Sequence, residues 1–417
     1  MNQFALQFEQ YLYLNLELAE DRLPFEQFVN IDTLIQTLFF LKNKTYSKKA
    51  ETLIFIDEIQ EVPEALNVLR YFYEQTPELY VIAAGSLLET LFDQNISFPV
   101  GRVEYLVVRP VSFPEFLEAM DEKIALQQLQ KVPLQSFAHD KLLRLFHTYS
   151  LIGGMPEIVN HYVKNKDLTA LKPIYESLIV SYLDDVEKYA SNSTQVYLLR
   201  HAIRACFGEA GKRIKFQGFG KSSYGSREMG EALRTLEKAL LIYLIFPNTG
   251  ATLPLQPDYR KSPRLQVLDT GMLNFFVGVQ KEIIGTEDLS SVYHGTIIEH
   301  LVGQELLASQ FNVLSSLNFW VREKKTSFAE LDCLYVYENK LIPIEVKSGA
   351  EGKLKSLHLF MNQAPHQMSI RFYSGKLSVS EVKTQQGKMF YLLNLPYFLV
   401  SQIESYLDWF KNEIIKK

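Results

Sequence analysis

Two groups of residues in this 417-residue chain have types and spacings that can do chemistry. In the last third, Leu331-Asp332-Cys333-Leu334-Tyr335-Val336-Tyr337 reads as a strand with a carboxylate near its start. Glu338-Asn339-Lys340 suits a hairpin turn, and Leu341-Ile342-Pro343-Ile344-Glu345-Val346-Lys347 is the returning strand. Glu345 and Lys347 are two apart, so both project from one face. Pairing the strands can bring Asp332 beside Glu345, and Glu299 lies on a preceding helix. Three carboxylates and a lysine on one sheet edge can bind Mg2+ through Asp332 and Glu345, polarise a phosphodiester and activate water, with Lys347 assisting. The same residues can instead form a structural ion-pair network, with Glu299 an ordinary helix-surface acid.

The second group is Leu53-Ile54-Phe55-Ile56-Asp57-Glu58, a buried apolar strand ending in two acids. Open α/β sheets bind ligands at the carboxyl edge of their strands. An Asp there can hold Mg2+ and an adjacent Glu can orient an attacking water. The plainer reading is a strand followed by an acidic helix N-cap. Ser86 follows the next strand and can contact a terminal phosphate, or simply cap the helix Leu87 to Phe92. Arg102 can stabilise transferred phosphate charge in a neighbouring subunit, or act as a surface salt-bridge residue.

The elements that must position these groups fall into an ordered series. Tyr11–Leu16, Leu53–Ile56, Tyr80–Ala84 and Val103–Val108 read as strands, alternating with helices over Ile31–Lys42 and Pro63–Glu74, which implies a parallel α/β sheet. From Pro114 to Lys188 the pattern is helical with a Gly153-Gly154 break. Residues 191–276 read as a small helical module ending in short strands, and the order from Gly295 is helix, strand pair, helix, strand, helix. Boundaries are expected near 125, 190 and 285. His300 is expected to be a satisfied histidine, Trp320 and Tyr391–Phe398 core, and Arg322-Glu323-Lys324-Lys325 a solvated loop.

Composition is ordinary for globular domains, with 47% hydrophobic and 22% charged residues and a net charge of −5. A polycation is therefore excluded, and any nucleic-acid contact must be local. One stretch qualifies. Arg200 to Lys238 carries nine basic residues against four acids. Its pattern of helix, short turn, helix from Arg227 and then strands resembles a winged helix-turn-helix. Arg213, Lys215, Lys221, Arg227 and Arg234 are the candidate phosphate contacts; a packing module with a solvated basic face is the alternative. The two cysteines, Cys206 and Cys333, show no metal-ligand spacing, which fits a reducing compartment. No signal peptide is visible, and the longest apolar run, Ala239 to Phe246, is too short to span a bilayer. A cytoplasmic protein without membrane contact is expected.

Several segments in order resemble a prokaryotic AAA-type ATPase family with a C-terminal domain of unknown function. They are Tyr13-Leu14-Asn15-Leu16-Glu17, Phe55-Ile56-Asp57-Glu58-Ile59-Gln60, Gly85-Ser86, Gly101-Arg102, Pro110-Val111-Ser112-Phe113-Pro114-Glu115-Phe116 and Gly153-Gly154-Met155-Pro156-Glu157. The resemblance implies Asp57 as the Mg2+ carboxylate, Glu58 as the water-orienting base, Ser86 as phosphate sensor and Arg102 as a trans-acting arginine. The family's phosphate loop, G-x-x-x-x-G-K-[ST], should precede Tyr11 and is missing. Gly220-Lys221-Ser222 is no substitute, because the position five before Gly220 is Lys215. The C-terminal residues resemble the PD-(D/E)XK nuclease fold: Asp332 matches its Asp, Glu345 and Lys347 its E-x-K, and Glu299 its helical acid, without the motif's Pro before Asp332.

The expected architecture is α/β: a truncated P-loop/AAA-type parallel sheet (1–125), a helical lid (126–190), a winged-helix module (191–285) and a restriction-endonuclease-like C-terminal domain (286–417). The expected function is an AAA-type ATP-binding protein, using ATP and Mg2+, with binding and hydrolysis impaired by loss of the phosphate loop. Nucleic acid and further copies of the chain are the expected partners. The alternatives are a metal-dependent nuclease or a non-catalytic DNA- or protein-binding scaffold.

Overall fold

The computed structural model describes residues 1–85, 101–190, 192–278, 295–310, 312, 314–324, 327–347 and 354–415. Packing divides the chain once, into compact units 1–106 and 107–417.

The first unit is built on three parallel strands in the order β1 (Gln10–Asn15), β2 (Thr52–Asp57), β3 (Tyr80–Ala83). The apolar run Leu53–Ile56 is central and buried, as a strand covered on both faces requires. The helix Ile31–Leu41 is capped by Asn30, whose side chain accepts from Thr33 N–H at 2.9 Å. It buries Ile31, Leu34, Ile35, Leu38 and Phe39, an apolar stripe at helical spacing. The helix Pro63–Gln75 starts with proline, where no N–H is needed. The strand expected over Val103–Val108 does not form. Among the described residues β3 is the outer strand of this sheet, and the segment does not pair with it. Its side chains face solvent, with Leu106 69% and Val108 84% exposed.

The second unit contains the helices Phe113–Ala119, Lys123–Leu129, His139–Ile152, Pro156–Asn165 and Lys172–Tyr189, then Ser193–Glu209 and Ser226–Lys238. β4 (Ile242–Ile245) pairs antiparallel with β6 (Arg264–Val267), as expected for the short strands after the second helix of that module. Between them, β5 (Pro247–Asn248) leaves the module and joins the C-terminal sheet. That sheet has seven strands in the order β11-β12-β10-β9-β8-β7-β5. Its members are β7 (Asn318–Lys324), β8 (Ser327–Tyr337), β9 (Lys340–Val346), β10 (Met368–Tyr373), β11 (Ser378–Lys383) and β12 (Met389–Pro396). It is larger than the sequence pattern suggests, and Arg322–Lys324 end β7 rather than forming a loop. One apolar core runs from Phe113 to Phe410, crossing the positions near 125, 190 and 285 where boundaries were expected.

A buried polar network explains this continuity. The Asp269 carboxylate accepts Gly154 N–H at 2.6 Å and Met272 N–H at 2.9 Å. Gly153 has φ 71°, and a side chain there would collide with the Asp269 carboxylate; one on Gly271 would strike the Ile152 carbonyl. Gln304, on the helix Gly295–Ala308, accepts Thr270 N–H at 2.7 Å and donates to the Tyr149 hydroxyl at 3.2 Å. Its neighbour Glu305 accepts Phe113 N–H at 3.1 Å. Ser112 and Glu115 close a capping box around the start of the helix at Phe113.

Proton accounting at Glu305 is decisive. The Tyr149 oxygen lies 2.8 Å from the Val111 carbonyl and 2.5 Å from Glu305 Oε1. The carbonyl can only accept and the hydroxyl has one proton. Both contacts are satisfied when Glu305 is protonated and donates to Tyr149. Burial agrees, pushing the Glu305 carboxyl up to about 7 and that of Asp269 up to about 6. A carboxyl whose folded pKa is raised stabilises the fold fully below its unfolded value of 4.5, and loses that contribution as pH rises through about 7. Stability measured by urea unfolding is therefore expected to fall by on the order of 1–3 kcal/mol between pH 5 and 8. Glu305→Gln, which keeps the acceptor for Phe113, should remove the share of that slope that Glu305 contributes.

Candidate functional site

In the first unit, register places the carboxyl ends of the strands together: Asn15 pairs with Asp57, and Ile56 with Ala83. Asp57 therefore sits at the end of the central strand. Its Oδ2 accepts the Tyr13 hydroxyl at 2.9 Å and its Oδ1 accepts Glu58 N–H at 3.2 Å. The hydrogen bond to Asp57, then burial and the Asp57 charge, hold the Tyr13 phenol above its ordinary pKa. Glu58 turns the chain in the left-handed region, φ 53°, and its carboxylate accepts the Gln60 amide. The Gln60 side chain lies against Gly85, and a Cβ there would displace its amide oxygen. The buried Asp21 accepts Asn15 N–H at 2.9 Å and pairs with Lys42 at 2.5 Å, anchoring the end of β1. Tyr13, Gln60 and the Asp21–Lys42 pair were not anticipated as parts of this edge. Tyr13 lies two residues before Asn15 on the strand beside β2, a cross-strand position that register alone reveals.

Ser86 lies outside the described residues. Arg102 pairs with Glu74 at 3.0 Å, near the C-terminal end of the helix Pro63–Gln75. That helix begins beyond the Asp57 end of β2 and spans about 20 Å at 1.5 Å per residue. Within its own chain Arg102 is thus held at the far end from Asp57.

The metal side and the phosphate side of a nucleotide site differ here. Asp57 is an oxygen donor of the kind Mg2+ takes alongside phosphate. Residues 1–117 hold no G-x-x-x-x-G-K-[ST] sequence, so they do not supply a backbone cradle and lysine for phosphates.

In the second unit the four C-terminal candidates do converge. β8 and β9 are antiparallel, with Cys333 opposite Ile344, and Glu338 makes the tight turn at φ 50°. Asp332 Oδ2 accepts Val346 N–H at 2.7 Å, and Lys347 Nζ donates to Glu345 Oε1 at 2.5 Å. The Lys347 carbonyl accepts the Tyr397 hydroxyl. Burial and the neighbouring Asp332 push Glu299 up to about 8 and Glu345 up to about 7; burial also raises Asp332, against the pull of Arg264. Glu299 faces this cluster rather than open solvent.

The residue that sequence reasoning missed is Arg264. It reaches from β6, donating to the Asp332 carbonyl at 2.6 Å and to Glu330 Oε1 at 2.5 Å, with its guanidinium 4.3 Å from the Phe319 ring centre. A small cavity beside it is lined by Glu299, His300, Asp332 and Cys333. Arg213 lies alongside, paired with Glu323 at 2.5 Å, and Lys261 pairs with the same acid. Arg213 is therefore occupied by protein carboxylates and is removed from the exposed phosphate contacts expected of it. His300 is buried and neutral: Nε2 accepts Val267 N–H at 3.0 Å and Nδ1 meets the Thr270 hydroxyl at 3.0 Å, with burial lowering its pKa to about 3.

The donors suit a hard cation, and one oxygen, Glu345 Oε2, is buried without a partner. Yet among the described residues no three His, Cys, Asp or Glu groups are arranged to hold a metal ion. Lys347 and Arg264 supply positive charge beside these carboxylates.

Residues 1–117 match a family model described as an AAA domain. Residues 143–282 and 294–398 match two models described as domains of unknown function, DUF8612 and DUF4143. No curated protein matches the chain. Among solved structures, a Walker-type ATPase of Pyrococcus abyssi is similar over 64% of this chain and 84% of its own, at 15% identity and TM-score 0.40. No described helix is long and apolar enough to cross a membrane.

Removing one partner of a buried ion pair leaves the other uncompensated. Arg264→Met is expected to cost about 2–4 kcal/mol in urea unfolding of the full chain. A loss below about 0.5 kcal/mol would show that the pair contributes nothing.

Proposed function

We propose that residues 1–117 work as an AAA-type nucleotide module whose ATP binding and hydrolysis are impaired in this chain. The observation that carries this reading is the Asp57–Glu58 pair at the carboxyl end of the central strand, in a matched region without a phosphate-loop sequence. In this reading Asp57 is the metal carboxylate, Glu58 the water-orienting base, Ser86 the phosphate sensor and Arg102 a group that acts on a neighbouring copy. The Tyr13 hydroxyl and Glu58 N–H each donate to one Asp57 oxygen and hold the carboxylate in place at the end of β2. Calorimetric titration of the full chain with Mg2+–ATP is expected to show no saturable binding tighter than about 0.1 mM. Tight binding that disappears in Asp57→Ala would overturn the reading.

A second reading is phosphodiester cleavage at Glu299, Asp332, Glu345 and Lys347. It is favoured by Glu345 Oε2, a buried carboxylate oxygen left without a partner beside a lysine. Incubation with plasmid and Mg2+ or Mn2+ tests it. Nicking by the wild type that drops by about 100-fold or more in Lys347→Ala supports it. Equal survival of plasmid with both proteins, across both metals, removes it and leaves the cluster a structural ion network.

A further inference from the structure

We infer that the loop and helix spanning residues 215–234, together with Arg204, form a binding surface for the phosphate backbone of nucleic acid. Arg204, Lys215, Lys221, Arg227 and Arg234 are all exposed. None has an acidic partner among the described residues. The cations that flank them behave differently: Arg213 and Lys261 share Glu323, Arg200 pairs with Asp184 at 3.6 Å, and Lys212 sits 3.5 Å from Glu209.

The local acids are equally informative. Glu228 is committed to the Gly225 N–H at 3.1 Å, and Glu237 to the Leu244 N–H at 2.7 Å. Together with Glu209 beside Lys212, three of the four acids in Arg200–Lys238 are engaged away from these five cations. Glu231 remains, on the same helical stripe as Arg227 and Arg234 by its spacing of four and three.

The fold gathers these charges instead of scattering them. The loop after Lys215 folds back on both helices of the module. Phe216 packs on the helix Ser226–Lys238 so closely that a Cβ on Gly230 would meet its ring at 2.9 Å and Arg234 Nη1 at 3.4 Å. Lys215 directly precedes Phe216, so its backbone lies close to the helix that carries Arg234. At the other end, Gly220 lies against Ala205 and His201 of the helix Ser193–Glu209, with a Cβ there 2.9 Å from His201 Nε2. That packing seats Lys221, at φ 61°, beside the turn of helix that carries Arg204. Gly218 N–H bonds to the Tyr224 carbonyl at 3.2 Å and Ser226 N–H to Gln217 Oε1 at 3.1 Å, closing the loop on the start of the second helix. The result is a patch of exposed cations on a rigid loop-and-helix scaffold in a chain of net charge −5. Long cationic side chains on a fixed frame suit a regularly spaced polyanion, and their binding releases condensed counterions.

Fluorescence anisotropy with the full-length chain tests this, using a labelled 30-base-pair duplex and the same sequence single-stranded, over a series of salt concentrations. Wild type should bind with a log K that falls linearly with log salt. Lys215→Ala/Lys221→Ala/Arg227→Ala/Arg234→Ala should weaken binding about tenfold or more, and reduce the slope by about 1 for each phosphate that is no longer neutralised. Lys123→Ala/Arg260→Ala, which removes two exposed cations elsewhere, should change neither. Glu231→Lys should tighten binding about two- to fivefold, and keeps the test decisive if the quadruple variant unfolds. A salt-independent affinity, no binding by wild type at low salt, or equal losses in the quadruple and control variants would overturn the inference.

Discussion

The Asp269 carboxylate is the interaction on which the second unit depends. A buried carboxylate is costly unless its oxygens are filled by donors, and here backbone N–H groups from two distant segments fill them. That requirement fixes where the Gly153-Gly154 turn must lie and why neither Gly153 nor Gly271 tolerates a side chain. Through Gln304 the same group is joined to Tyr149, and through Tyr149 to Glu305 and the start of the helix at Phe113. Segments more than 150 residues apart thus share one polar network inside one apolar core. Such networks specify a structure only when every member is satisfied, and burial favours the protonated form of Glu305 that completes this one.

The same physical rule separates the charged regions of the molecule. Where acids crowd together, around Asp332 and Glu345, cationic side chains are drawn in: Lys347 from the neighbouring strand position and Arg264 from β6. Where cations crowd together, along 204–234, three of the four nearby acids are already committed to backbone N–H groups or to Lys212. The first arrangement is internally neutralised. The second leaves charge for something outside the chain. At the Asp57 edge the balance is different again, with neutral donors from Tyr13 and Gln60 rather than cations meeting the two acids.

Short-range patterns carried much of this into the sequence. The period-two alternation and apolar runs of β1, β2, β8 and β9, and the stripe of Ile31, Leu34, Ile35, Leu38 and Phe39, depend on local burial and were legible. So was the approach of Asp332, Glu345 and Lys347, because one hairpin brings them together. Val103–Val108 misled because its β-branched and aromatic residues suit a strand, while strand formation needs a neighbour that composition does not report. Arg264 and Arg213 were not legible as partners of Glu330 and Glu323, since the members of each pair lie 66 and 110 residues apart. The two-residue β5 and the polar, exposed β11 are too short or too solvated to leave a hydrophobic signature. The Gly153-Gly154 and Asp269-Thr270-Gly271 segments read separately as a break and a strand end. Their meaning lies in the way they meet.

The central claim is that Asp269 couples these segments into one cooperative unit, and amide hydrogen exchange measures that coupling directly. In Asp269→Ala, the amides of Gly154, Met272, Phe113 and the helix Gly295–Ala308 should lose protection together, while those of residues 1–106 keep theirs. Loss confined to Gly154 and Met272, with Phe113 and the helix as protected as before, would contradict the account.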